Sequence, residues 1–412
     1  MTGVMTGISR RSALAMLGTL PVLACTGAAP AMPRGTPQLL EAVFGMPSRG
    51  IIALPGTRCR LDTPLVATTS GITIRGVKGR TVLAIASSPV LLSLGDMSDV
   101  VFEDIAFESG FAGPGERIHG LLTAAGAHLR RVRFVNCTFA VPAAAINAIH
   151  FVLDHRGSAE SVHFEDCAIL AAGRMGLEVQ NHGNDDARYH DIRWLGGRIA
   201  DTGLRSANGM GVSLSGYGSD CQIDSLFENN RFAAIEGVGI RNSVFSARFG
   251  RQTRPVDILS FTGERPMRDN VIRNCRTIGR ANGNVLLRGQ TGLQMSGNDL
   301  SLAGGVLCRD INTSLVKADR YRTAGTSSLF VEGTSAGNRW TGCTFDNGLS
   351  ARAFSTLRFL GAGTCDNLVS DSRLVRGAEG VDADNLSGAS RNTVTAFEQP
   401  SGRIRTVLGR QA

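Results

Sequence analysis

The sequence predicts an all-β solenoid, and three observations carry that prediction. The first is a phrase that returns along the chain, an apolar residue followed two places later by Asn, Asp or Gly and then a small residue. It reads Phe134-Val-Asn-Cys137-Thr-Phe139, Phe164-Glu-Asp-Cys167-Ala-Ile169 and Trp194-Leu-Gly-Gly197-Arg-Ile199. It returns as Ile272-Arg-Asn-Cys275 and Trp340-Thr-Gly-Cys343-Thr-Phe345, with fainter copies at Phe102 and Val369. A period of about 20 to 35 residues made of short alternating strands and turn residues is the mark of stacked coils. The second is a further short strand in each coil, as in Ile149–Leu153, Leu177–Gln180, Val212–Ser215, Ile235–Val238, Val256–Leu259 and Val285–Arg288. The third is composition: 51 glycines with only 19% charged residues fit tight turns and stacked strands. Such an array predicts a long groove, and long grooves suit long polymers.

The elements follow in order. In residues 1–31, Arg10-Arg11 precedes an apolar run from Ala13 to Ala24 and then Ala29-Pro30-Ala31. A basic start, a short apolar core and an A-x-A site describe an export signal too short to span a bilayer. The arginine pair points to the twin-arginine route, although Ala13 stands where a large apolar residue is usual. Val22-Leu23-Ala24-Cys25 also has the form of a lipobox, which would anchor Cys25 to lipid. Residues 32–49 hold one short helix: Thr36 caps it, Pro37 occupies its first turn and Gly45 closes it. A solenoid needs a cover over its first coil, and this helix is placed to be one. Residues 50–400 form the coils, and 401–412 a C-terminal tail.

The first coil reads Ile52-Ala-Leu54-Pro55-Gly56-Thr57-Arg58-Cys59-Arg60-Leu61, then Gly71-Ile-Thr-Ile-Arg-Gly76. With the repeat, it resembles the opening of the pectin-lyase-like right-handed parallel β-helix superfamily. Cys59 replaces the usual Tyr, and one Pro of the phrase is missing. The resemblance spans roughly residues 36 to 400. It implies the fold and a polysaccharide-acting enzyme, not a reaction, because the superfamily holds lyases, hydrolases, epimerases and phage tailspikes. Motifs for reaction type are absent. His182-Gly183 precedes Asp185-Asp186, the reverse of the order in polygalacturonase-like hydrolases, and no Arg-Ile-Lys follows. The Asp-Pro-His-Asp of alginate epimerases does not occur, and Arg265-Pro266-Met267-Arg268 is a shortened echo of the pectate-lyase arginine segment.

The formal charge is +8, and the bases are nearly all arginine, with Lys78 and Lys317 the two lysines. A positive excess favours an anionic partner, although arginines scattered through every coil also satisfy the solvent. Few lysines argue against a lysine base, since only Lys317 reaches the middle of the array. Aromatic residues are only 6% of the chain, which argues against a stacking platform for nucleic acid. No stretch after the leader is apolar enough to cross a bilayer. Of nine cysteines, Cys137, Cys167, Cys275 and Cys343 hold the same place in the repeat and are expected to stack as an internal ladder. Zinc-type spacing is absent.

Alternation turns His150, Asp154, Glu178, Gln180, Ser213, Ser215, Glu236, Asp257 and Arg288 outward along one face. At about 4.8 Å per coil, Glu178 and Glu236 lie two coils and roughly 10 Å apart. That spacing leaves room for a water between two carboxylates, as inverting glycosidases need. The same carboxylates are candidate ligands for Ca²⁺. Glu236 sits in the apolar stretch Ala233–Gly239, which would raise its pKa and suit a general acid. Yet an outer face is polar in any solenoid because water demands it.

The densest polar stretch is the insertion Asn181-His182-Gly183-Asn184-Asp185-Asp186-Ala187-Arg188-Tyr189-His190. Insertions in a tight array are natural sites of function. They are also simply good loops. The composite reading is an exported lyase that cleaves a uronate-containing polysaccharide by β-elimination. In it His182, His190 and Tyr189 move protons, Arg188 and Arg205 face the carboxylate, and Asp185, Asp186, Asp257 and Arg288 bind sugar. The second reading is a glycoside hydrolase on Glu178, Glu236 and Asp257. The third is a non-catalytic, tailspike-like carbohydrate-binding protein.

Overall fold

In the computed structural model the described residues are 50–408, without 115–118, 155, 184–185, 253–255, 263–264, 351–353, 378–379, 387–390 and 398–403. The expected leader, Cys25, the 36–45 helix and Asp185 lie outside them. Each coil is built from three short strands. One precedes the recurring turn, as in His128–Val135 and Ser158–Glu165, and one follows it, as in Thr138–Val141 and Ala168–Ala172. The third, as in Asn147–Val152 and Leu177–Asn181, carries the face of interest. Strands pair parallel with their counterparts one coil away. About twelve turns stack in this way. Among the described residues there is no helix, and the one antiparallel pair is Thr393–Phe397 with Ile404–Leu408 at the far end.

The recurring phrase now has a physical meaning. Its third residue takes a left-handed backbone: Asp104, Asn136, Asp166, Asn274 and Asp371 have φ of 59°, 51°, 51°, 55° and 48°. Asn and Asp tolerate this region better than other side chains, so the chain turns a corner there without glycine. Gly342 holds the same place at φ 64° with open space around its missing Cβ. Gly342→Ala should therefore lower stability by roughly 1–2 kcal/mol through backbone strain alone. Gly342→Asn should cost less than half as much, and thermal unfolding of the two variants side by side checks it.

The core is a set of ladders. Phe102, Phe134, Phe164 and Trp194 stack coil on coil with centroids 4.8, 4.9 and 4.8 Å apart and planes within 17°. All four are fully buried. The expected cysteine ladder is mixed rather than pure. The Cys137 amide donates to Cys167 Sγ, but Cys275 N–H is met by Asn298 Oδ1 and Cys343 N–H by Ser372 Oγ. In the later coils small polar side chains take the place of thiols because each must accept the buried amide of the preceding coil. The eight described cysteines are free.

Candidate functional site

The third strands of successive coils set one rung of neighbours: Thr123, His150, Glu178, Ser213, Glu236, Ser260, Leu286, Leu307, Phe330, Arg358 and Asp384. Glu178 and Glu236 are two coils apart, with Ser213 between them. The inward neighbours Ile149, Leu177, Val212 and Ile235 are completely buried and fix which way the polar residues turn.

In the middle coils this face is closed rather than open. Glu178 is only 5% exposed. Its Oε2 accepts from Asn147 Nδ2 at 2.7 Å and Arg174 Nη1 at 2.6 Å, and lies 3.2 Å from His150 Nε2. Asn147 Oδ1 in turn accepts from Arg174 and from the Met175 amide. His150 Nε2 is also 3.2 Å from Gln180 Oε1. Both neighbours are acceptors, so Nε2 carries the proton, and buried Nδ1 has no partner. Burial pushes the imidazole below its usual pKa, against the opposing pull of Glu178. Gln180 donates to Asp154 Oδ2 at 2.5 Å, and the His182 amide donates to Asp154 Oδ1 at 2.7 Å. Asp154 and Glu178 are thus engaged by the protein itself.

Glu236 differs. It is partly exposed, and Ser213 Oγ donates to its Oε2 at 2.6 Å. Burial raises its pKa, the hydroxyl of Ser213 lowers it, Glu178 adds to the rise, and His182 and Arg174 oppose it. The net direction is upward, which suits a group that holds and releases a proton. At the same edge, Arg265 stacks on the Tyr217 ring with its guanidinium carbon 4.6 Å from the centroid. Arg265 Nη2 also donates to the His182 carbonyl at 2.6 Å. A carboxyl, an imidazole, a phenol and a guanidinium therefore gather on neighbouring coils.

Several expected site residues sit elsewhere. Tyr189 points inward and is fully buried, and its hydroxyl donates to the Gly216 carbonyl at 3.2 Å. It is a core residue, not a proton carrier. His190 is exposed, but it pairs in register with Glu160 on a different strand set. Arg188 leads into that same strand, half-buried, with its Nε buried and lacking a partner. Arg205 is exposed and donates to the Pro142 carbonyl at 3.4 Å. Asp186 is exposed, and its carbonyl accepts from Asn181. Asp257 does not stack on Glu236: in an unbroken register Ser260 stands opposite Glu236, and Asp257, three residues earlier, pairs with Ala233 on one side and Asn284 on the other. Arg288 is two residues beyond Leu286 and pairs with Arg309, one row away. Asn147, Arg174 and Tyr217 were missed because nothing in the local phrase marks them. Arg265 was visible only as part of the Arg-Pro echo. Among the described residues no group of three or more His, Cys, Asp or Glu is arranged to hold a metal ion.

No family model and no curated protein matches the chain. Solved structures do. A mannuronic acid specific polysaccharide family 6 lyase from human gut microbiota is 12% identical, covers 81% of this chain and 84% of its own, and has a TM-score of 0.54. The fold is a right-handed parallel β-helix. The Dettilon tailspike protein gp208 is similar to this β-helix at 11% identity and TM-score 0.51, over 85% of this chain and 66% of the tailspike. A PL6 alginate lyase solved with a trisaccharide is 10% identical with a TM-score of 0.50, over 92% of the β-helix chain and 90% of the lyase. At these identities the likeness is one of fold.

Proposed function

We propose that this β-helix, exported on its twin-arginine-type leader, cleaves a uronate-containing polysaccharide by β-elimination at Glu236. The observation that carries the reading is the contrast between the two glutamates. Glu178 is enclosed by Arg174, Asn147 and His150, while Glu236 is partly open and has a raised pKa. Hydrolysis by paired carboxylates needs both groups free to flank the glycosidic bond, and Glu178 is not.

Elimination asks for different parts. A base takes the C5 proton, the electrons form the C4=C5 double bond, the C4–O4 bond breaks, and an acid protonates the leaving oxygen. In this reading His182 is the base and Glu236 the acid, its pKa raised by burial. Arg265, held over Tyr217, offers a planar cation to the uronate carboxylate, which makes the C5 proton easier to remove. The lyase neighbours and the net positive charge agree with an anionic sugar chain.

The test is ultraviolet absorbance of the unsaturated uronate as purified protein acts on a panel of uronic-acid polysaccharides, with and without Ca²⁺. A rise supports elimination. New reducing ends without absorbance would overturn it in favour of hydrolysis, and retained polymer with neither signal would make the protein a binder.

A further inference from the structure

The rung that carries Glu236 changes character two coils further on. Ser260 gives way to Leu286, Leu307 and Phe330, all partly exposed on the outer face. They line a cleft of about 430 Å³ with Asp257, Asn284 and Thr326 on its polar side. The polar side is built by the backbone. Gly304 and Gly305 bring the chain so close that a Cβ on Gly304 would lie 1.5 Å from Asn284 Oδ1. Asn284 Oδ1 accepts from the Gly305 amide at 3.3 Å, and its Nδ2 donates to Asp257 Oδ1 at 3.4 Å. One carboxyl and one amide are thus oriented over an apolar floor.

Among the described residues no cation lines this cleft. Arg358, the next residue on the rung after Phe330, pairs with Asp384 at 3.5 Å. Arg288, one row away, lies 3.9 Å from Asp310. A uronate carboxylate placed beside Asp257 would meet a like charge with no cation among the described lining residues to offset it. A neutral ring would not, and Asp257 and Asn284 are well suited to its hydroxyls. Leu286, Leu307 and Phe330 call for an apolar group on the same ring.

We propose that this cleft is a second sugar site, selective for a neutral 6-deoxyhexose whose methyl group rests on Phe330 and Leu307 while its hydroxyls meet Asp257 and Asn284. Resting on the reading of Glu236 as the cleavage point, it makes the substrate a mixed polymer. The uronate lies at Glu236, and the deoxy sugar begins two coils, roughly 10 Å, along the groove.

Saturation-transfer NMR of the full chain tests it, with methyl α-L-rhamnopyranoside and methyl β-D-glucuronide as probes. The expected result is transfer to the rhamnoside methyl group that excess glucuronide, which belongs to the Glu236 site, does not displace. Phe330→Ala should weaken the rhamnoside by about five-fold; Asp257→Ala should weaken it as well, and Glu236→Gln should leave it unchanged. Phe330 is partly exposed, and a matched unfolding temperature shows that the Ala variant has kept its fold. Displacement of the rhamnoside by glucuronide, no rhamnoside transfer, or a rhamnoside signal indifferent to Phe330→Ala would each overturn the proposal. Binding is read without turnover, so rhamnoside transfer with no elimination on any polymer would sink the lyase reading and leave the site standing.

Discussion

Glu236→Gln is expected to lower the elimination rate by roughly 10²–10⁴-fold, the usual worth of a positioned acid. Glutamine keeps the shape, and its carbonyl oxygen still accepts from Ser213, whose hydroxyl lies 2.6 Å from the native Oε2. The fold should therefore persist. The pH dependence separates a chemical role from a structural one. Burial raises the Glu236 pKa above its ordinary 4.5, so the folded protein holds this proton more tightly than the unfolded chain. The stability it adds is complete below 4.5 and is lost as pH rises through the higher folded value. The acid function should fade across that same rise. Initial rates and unfolding temperatures of both proteins across this window give the answer. The wild type should lose rate on the alkaline side, and the Gln variant should stay slow throughout. A Gln variant that turns over within about three-fold of wild type would remove Glu236 from the chemistry.

Phe164→Ala should be the most destabilising single truncation, at about 3–5 kcal/mol. The ring sits between Phe134 at 4.9 Å and Trp194 at 4.8 Å, and Phe139 meets it edge-on at 6.4 Å. Removing it empties a completely buried volume that two coils share. Because each coil is stabilised mainly by its neighbours, the loss falls on the interface between two coils and should loosen their coupling. Denaturant midpoints measure the total, and amide exchange on Ala159–Glu165 and Tyr189–Leu195 locates it. Phe164→Leu, which refills part of the space, should recover much of the loss. A change below about 1 kcal/mol for the Ala variant would mean that the stack is not the organising feature of these coils.

The coil was legible in the sequence because its grammar is local. Phe134-Val-Asn136-Cys137 names an inward ring, a left-handed corner and a small inward residue in four letters, and the structure uses them in those roles. The site was legible only in part. Glu178 and Glu236 share a rung as alternation predicts, but alternation does not say which rung is enclosed. That depends on Asn147, which approaches Glu178 from the preceding coil, and on Arg174, which folds back onto it from four residues earlier. Tyr189 misled because it stands among polar neighbours, whereas its strand directs it inward with Ile192 and Trp194. Asp257 misled for a different reason. Its strand pairs three residues further along than the Val256–Leu259 phrase suggests, so Ser260 and not Asp257 faces Glu236, and such an offset leaves no mark in composition.

The reversed strand at the far end has a consequence for how copies of this protein behave in concentrated solution. A parallel ladder that simply stopped would present a row of unpaired amides and carbonyls, ready to template another molecule and grow a fibre end to end. Here Ile404–Leu408 folds back antiparallel on Thr393–Phe397. Along that edge an incoming parallel strand such as Gly50–Ala53, which pairs on one side only, would find a mismatched spacing of donors and acceptors. Polymerisation through that sheet is thereby discouraged by five residues of chain.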